Sequence, residues 1–298
     1  MENNKMNNDS RREFIKTGAI VTLAAACSSA VCSCGSKMSG ETVRLLSPEG
    51  EIVEVNEKYL KDIHPCVNHK EARKGVPGRR FVMVIDLARC KNALKCQEAC
   101  NKHHHLTGEK NYLKVLKMQD NPNASPYWQP TMCYHCDEPP CVKVCPVDAT
   151  YKRDDGLVLI DNDRCVGCIF RMAACPYSQR VFNWDEPETW NESVSSCSSP
   201  EISGRNATIG TVEKCDFCAD MTRLGELPPC VNACPNGVFY FGDENEDAVS
   251  NGEDTVKLSE LLKNRAGYRA LEELGTKPRV YYLPPVDRLF PFEDVQEG

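Results

Sequence analysis

Cysteine spacing constrains this chain more than any other feature. Nineteen cysteines occur in 298 residues, and most fall into a repeat of the form C-x2-C-xn-C-x3-C, often closed by proline. The clearest copy is Cys133-x2-Cys136-x4-Cys141-x3-Cys145-Pro146. A second is Cys215-x2-Cys218-x11-Cys230-x3-Cys234-Pro235. A third, Cys165-x2-Cys168-x6-Cys175-Pro176, fits the compact form C-x2-C-x2-C-x3-C-P with Arg171 in the third slot. The earliest, Cys90-x5-Cys96-x3-Cys100, fits it with Ala93 in the second slot and Asn101 in place of proline.

Such loops suit iron–sulfur ligation: three cysteines wrap one cluster, while the fourth, at the start of a helix, reaches another. Proline after that cysteine fits, because the first helical turn tolerates it. Zinc wants two C-x2-C pairs and has no need of the x3-C-P ending. A c-type haem needs C-x-x-C-H, and no such string occurs. An odd cysteine count argues against a pure disulfide framework, although disulfides stay open for cysteines outside the repeat. A net charge of −7 with no basic stripe argues against nucleic acid as a partner. No glycine-rich phosphate loop, nucleophile–His–Asp pattern or paired catalytic carboxylates stand out. The chain therefore reads as an electron carrier without a substrate site of its own.

The N-terminus reads as an address. Ser10-Arg11-Arg12-Glu13-Phe14-Ile15-Lys16 precedes a modest apolar run from Ala19 to Ala26, a pattern that resembles a twin-arginine signal. That route exports folded proteins, which suits a cofactor inserted before export. Cys27 follows Ala24-Ala25-Ala26 and loosely resembles a lipidation site; soluble processing near Ala30 is the alternative, leaving Cys32 and Cys34 incidental. The expected location is periplasmic or the outer face of the cytoplasmic membrane, with a lipid anchor if Cys27 is modified.

The expected fold is α+β, with a signal peptide over 1–34, an N-terminal β extension over 35–78 and an iron–sulfur core over 79–246. Residues 247–298 complete it as a helix and docking tail. Thr42 to Val55 reads as a hairpin turning at Ser47-Pro48-Glu49-Gly50. Phe81 to Asp86 reads as a strand leading into the first cysteine motif. Residues 185–211, rich in Ser, Asn, Glu and Gly, read as an inserted surface loop. Val256 to Leu274 carries helical spacing, and Arg279 to Leu283 reads as a short strand.

On these motifs the chain resembles the four-cluster ferredoxin subunits of molybdopterin oxidoreductases and related quinone-linked complexes, such as polysulfide, thiosulfate, tetrathionate and dimethyl sulfoxide reductases. Met172-Ala173-Ala174-Cys175-Pro176-Tyr177 and Pro278-Arg279-Val280-Tyr281-Tyr282-Leu283 belong to the same likeness. The leader makes it similar to the exported branch typified by NrfC and DsrO. The resemblance implies two interleaved ferredoxin-like units, the first motif paired with the fourth and the second with the third. It implies one [4Fe–4S] cluster on Cys100, Cys215, Cys218 and Cys230, and another on Cys133, Cys136, Cys141 and Cys175. Cys90, Cys96 and Cys234 would hold a cluster with Ala93 at its open corner, and Cys145, Cys165 and Cys168 one with Arg171 at its open corner. Neither alanine nor a protonated arginine binds iron, so [3Fe–4S] or altered clusters are expected there, with Cys66 as a ligand that could be recruited. Cys197, in its Ser-rich stretch, reads as a free thiol. The implied partners are a membrane quinone-handling subunit of the NrfD type and a molybdopterin catalytic or cytochrome subunit; a freestanding periplasmic polyferredoxin is the alternative.

His103-His104-His105 follows Cys100, and a polar helix end is the simplest reading, with His103 as a donor to a cluster sulfur the functional one. Trp128, Trp184, Trp190 and Tyr177 suggest electron stepping stones, although aromatic residues more commonly fill space.

Overall fold

In a computed structural model of the protein, the residues described are 42–46, 52–56, 67–106, 109–119, 121–122, 124–185, 199–202 and 208–286. The leader, Cys27, Cys66, Trp190 and Cys197 lie outside them. The expected hairpin forms from β1 (Thr42–Leu46) and β2 (Ile52–Asn56), antiparallel with Leu46 opposite Ile52. It belongs to a different compact unit from the cysteine-rich body.

The body is organised on β3 (Phe81–Asp86), whose FVMVID run is buried at every position. A continuous apolar run suits a central strand covered on both faces. Alternation sends Phe81, Met83 and Ile85 into the core shared with the cysteines, while Val82 and Val84 pack beneath Tyr240, Val249, Leu258 and Leu283. β3 pairs antiparallel with β10 (Phe239–Asp243) and parallel with β13 (Val280–Leu283). With β11 (Ala248–Ser250) and β12 (Thr255–Lys257) the sheet order is β12-β11-β10-β3-β13. Beneath it, the buried Arg279 donates from Nε to the Phe81 carbonyl and pairs with Asp137 and Glu244.

Three two-stranded ribbons carry the cysteine loops: β4 (Lys114–Met118) with β5 (Tyr127–Thr131), β6 (Thr150–Lys152) with β7 (Val158–Ile160), and β8 (Val181–Phe182) with β9 (Val212–Glu213). Short helices follow cysteines: α2 (Lys95–His103), α3 (Pro140–Lys143), α4 (Phe170–Ala173), α5 (Ala219–Arg223) and α6 (Pro229–Asn232), after α1 (His69–Lys74) upstream. α2 of the first motif packs on α6 of the fourth, and α3 of the second on α4 of the third.

The C-terminal segment departs from the expected helical arm. Among its described residues only Leu258–Asn264 forms an α-helix, α7, followed by a 3-10 turn at Glu272–Leu274. Ala266 turns left-handed at φ 50°, and a Cβ on Gly267 would stand 2.4 Å from Leu262 Cδ2, so the chain folds back there. Leu271 and Leu274 lie exposed rather than on a buried face, and β13 enters the sheet beside β3. Within the stretch read as a surface loop, Ser199 to Ile202 is buried, and Glu201 accepts from the fully buried Arg153, which also holds Asp155. Among the described residues, no helix is long and apolar enough to cross a membrane.

Candidate metal centres

All fourteen motif cysteines are present as free thiols. Their loops turn through left-handed residues: Asn92 and Leu94 in the first motif, His135 in the second, Ile169 in the third, Phe217 and Cys218 in the fourth. Such strained, non-glycine conformations cost about 1–3 kcal/mol each and collect at functional sites. After two of the C-P endings an amide reaches back to sulfur: Ala149 N–H donates to Cys145 Sγ at 3.2 Å, and Val238 N–H to Cys234 Sγ at 3.5 Å.

Four groups of cysteines emerge. Cys133, Cys136, Cys141 and Cys175 line one cavity together with Tyr134, Tyr177 and Arg180. Burial, then repulsion from Cys133, pushes the Cys136 thiol up to about 12, against a hydrogen bond with Thr276. Cys100, Cys215, Cys218 and Cys230 are each less than a tenth exposed. Burial lifts all four thiols, with the Asp216 carboxylate and neighbouring cysteines adding to it; Cys230 reaches about 12, raised further by Cys234 and Asp216 against two backbone hydrogen bonds. Cys90, Cys96 and Cys234 form the third group: burial lifts Cys90 to about 11, with Cys234 adding to it, and Cys96 to about 12, with Cys230, Cys234 and Cys90 adding. Ala93, in the same loop, is exposed.

The fourth group is built differently. Arg171, 1% exposed, donates from Nη2 to Cys165 Sγ at 2.6 Å and from Nη1 to Thr150 Oγ1 at 2.5 Å. Burial would raise the nearby Cys145 thiol, but amides of Thr150, Val147 and Ala149 and the charge of Arg171 hold it below its ordinary value. Cys168 stands half-buried in the same loop, where Gly167 is required: at φ 66° its Cβ would meet the Gly210 carbonyl oxygen at 2.2 Å.

These surroundings fit iron–sulfur clusters. The Nη1 and Nη2 atoms of Arg180, a residue lining the four-cysteine cavity, are buried and have no protein acceptor among the described residues. A buried guanidinium demands an anionic partner, and a cluster on four thiolates is anionic. The four free thiols of that cavity supply a complete ligand set. Zinc on four thiolates would also be anionic, so it is the motif spacing, not charge, that argues against zinc.

The comparisons with known proteins agree with that spacing. A 4Fe-4S dicluster domain matches residues 125–198 and 185–244. A selenate reductase subunit of Mesobacillus selenatarsenatis is 33% identical over 95% of this chain and 100% of its own length. The chain belongs to the 4Fe-4S dicluster iron–sulfur subunits of molybdopterin reductases. Other members include a tetrathionate reductase subunit of Salmonella typhimurium, 32% identical over 72% of this chain and 76% of that protein. Protein NrfC of Escherichia coli K12 is 31% identical over 70% and 82%. As a member, this dicluster subunit carries [4Fe–4S] clusters and transfers electrons within a multi-subunit respiratory reductase.

Several site residues escaped the sequence reading. Arg180 carries no spacing signal of its own. Among the histidines, it is His104 that approaches a ligand, Nε2 standing 3.5 Å from Cys218 Sγ, whereas His103 pairs with Asp220. Spacing from Cys100 could not separate them, because i, i+3 and i, i+4 both fall on one helical face. Tyr177 lines the thiol cavity and hydrogen-bonds Thr276, Trp128 is half-buried in β5, and Trp184 is exposed.

Proposed function

We propose that the chain relays single electrons along four stations in the order Cys90/Cys96/Cys234, Cys100/Cys215/Cys218/Cys230, Cys133/Cys136/Cys141/Cys175, Cys145/Cys165/Cys168. The observation that carries this reading is the chain of neighbouring motifs. α2 of the first motif packs on α6 of the fourth, His135 Nε2 of the second stands 3.1 Å from the Cys215 carbonyl of the fourth, and α3 and α4 bring the second and third together. When bound, the clusters supply reversible one-electron chemistry, and the chain supplies position, insulation and charge. The four-cysteine sets hold [4Fe–4S] clusters at the two inner stations. The incomplete sets fall at the two ends and hold [3Fe–4S] or altered clusters. Their open corners differ in kind: Ala93 is exposed, which leaves room for a recruited ligand, whereas the Arg171 guanidinium donates to Cys165 Sγ at its own.

In this reading the chain is exported on its twin-arginine leader and processed either at Cys27, which would then carry a lipid, or near Ala30. It works at the outer face of the cytoplasmic membrane, between an NrfD-type quinone-handling subunit and a molybdopterin catalytic or cytochrome subunit. The full-length likeness to a selenate reductase subunit favours an oxyanion reductase as the complex. The test is to isolate the tagged chain from its native membranes. Co-purification with a molybdenum-containing subunit, and bleaching of the iron–sulfur absorption by a quinol analogue, are expected. Recovery of the chain alone from the soluble periplasmic fraction would favour the freestanding carrier. Replacing Arg11 and Arg12 by lysine should strand the protein in the cytoplasm.

A further inference from the structure

His104 stands at the C-cap of α2, its backbone N–H donating to the Cys100 carbonyl at 3.0 Å. The imidazole is buried, at 2% exposed. The ring packs edge-on against His103, with centroids 4.8 Å apart, and tilted against Tyr112 at 5.1 Å. Its Nε2 reaches two acceptors, Cys218 Sγ at 3.5 Å and Asp216 Oδ1 at 3.5 Å. Asp216 Oδ1 in turn accepts the Cys218 backbone N–H at 2.8 Å. One carboxylate thus orients both the imidazole and the loop that presents the sulfur.

His103, His104 and Cys218 also gather three donor atoms within 4.8 Å of one another, which raises the question of a separate mononuclear metal. The acceptors answer it. His103 Nε2 faces the buried carboxylate of Asp220 at 3.3 Å. His104 Nε2 likewise faces the Asp216 carboxylate and the Cys218 sulfur. A hydrogen on each Nε2 is what these acceptors call for, and an Nε2 that donates offers a metal no lone pair.

We propose that His104 is the hydrogen-bond donor to Cys218 that sets the reduction potential of the inner station on Cys100, Cys215, Cys218 and Cys230. This rests on the ligand assignment above. A donor to a ligating sulfur draws electron density from the centre and favours its reduced form. The role needs only an N–H on Nε2, so a neutral imidazole fulfils it. His104 is a positioning residue: it acts through Cys218, holding the sulfur and its loop in register with Asp216.

The test compares three variants of the full chain by EPR-monitored redox titration, with the station's signal identified by its loss in Cys215→Ser. In His104→Leu the midpoint should shift to more negative potential. A tenfold fall in the reduced-to-oxidised ratio at a fixed potential, ~59 mV for one electron, is the expected size. His104→Gln, which keeps an N–H donor, should restore most of the shift. His103→Leu, which removes the Asp220 pairing and the edge contact with the His104 ring but leaves His104 Nε2 itself in place, should leave the midpoint unchanged. An unchanged midpoint in His104→Leu at full iron content overturns the proposal, as does an equal shift in His103→Leu. If the leucine variant fails to assemble, pulsed EPR on otherwise unaltered protein labelled with 15N-histidine decides. A histidine nitrogen coupled to this signal and lost in His104→Gln supports the role, and no coupling overturns it. Intact protein that shows no cluster signal on reduction would instead overturn the ligand assignment.

Discussion

Arg171 offers the sharpest perturbation. Its guanidinium is buried and donates to Cys165 Sγ at 2.6 Å, so a full positive charge sits against the terminal station. A positive charge stabilises the more negative, reduced state, and removing it must lower the potential. If the added electron is spread about 5 Å from the guanidinium in an effective dielectric of about 20, the attraction is ~3 kcal/mol. That corresponds to roughly 130 mV for a one-electron couple. Arg171→Gln keeps amide donors near Cys165 and Thr150 while deleting the charge. EPR-monitored titration of the oxidised three-iron signal should therefore show a midpoint roughly 130 mV more negative than in the parent protein. A midpoint that stays put, or moves positive, would refute the electrostatic reasoning. Arg171→Cys should convert the same station to a four-iron spectrum, and a spectrum that remains three-iron would show that the corner is not where Arg171 places it.

Other outcomes follow from the same structure. Glu201→Gln weakens the buried pairing with Arg153 by about 1.5–3 kcal/mol, which should lower the thermal midpoint by roughly 3–12 °C for a body of this size; an unchanged melting curve would mean Ser199 to Ile202 is not held as described. The lifted thiols, Cys90 to about 11 and Cys96, Cys136 and Cys230 to about 12, act in two directions with pH. In iron-free protein the unfolded chain loses its thiol protons first, near pH ~8.5, so folding stability should fall as pH rises from there through about 11 to 12. Iron binding must expel those same protons, so cluster assembly should strengthen over the same rise; denaturant melts and iron titrations at several pH values check both signs. Cys66→Ser that leaves iron content and the EPR spectrum unchanged would remove Cys66 from the ligands of the first station.

What was legible in the sequence was local. Ligand spacing within a tight loop is a short-range property, so the cysteines that share the cavity beside Arg180 already stood out as C-x2-C, C and C-P. β3 was legible because FVMVID has the continuous apolar character of a strand covered on both faces, and the hairpin because Pro48 and Gly50 punctuate it. The C-terminal segment was not. Its leucine spacing mimics a helix across Ala266 and Gly267, where backbone geometry ends one, and the parallel pairing of β13 with β3 joins residues far apart in the sequence. The burial of Glu201, within a stretch of polar sequence, depends on Arg153, a partner that no local pattern announces. Arg180 shows the same limit: its importance lies in buried N–H groups without a protein acceptor among the described residues, a property of three-dimensional packing alone.

The most direct test of the relay is low-temperature EPR with iron and sulfide quantitation on anaerobically purified protein, oxidised and then reduced with dithionite. The account predicts a [3Fe–4S] signal when oxidised and interacting [4Fe–4S] signals when reduced. Protein made with intact cluster assembly that contains zinc, little iron and no reducible signal would contradict it.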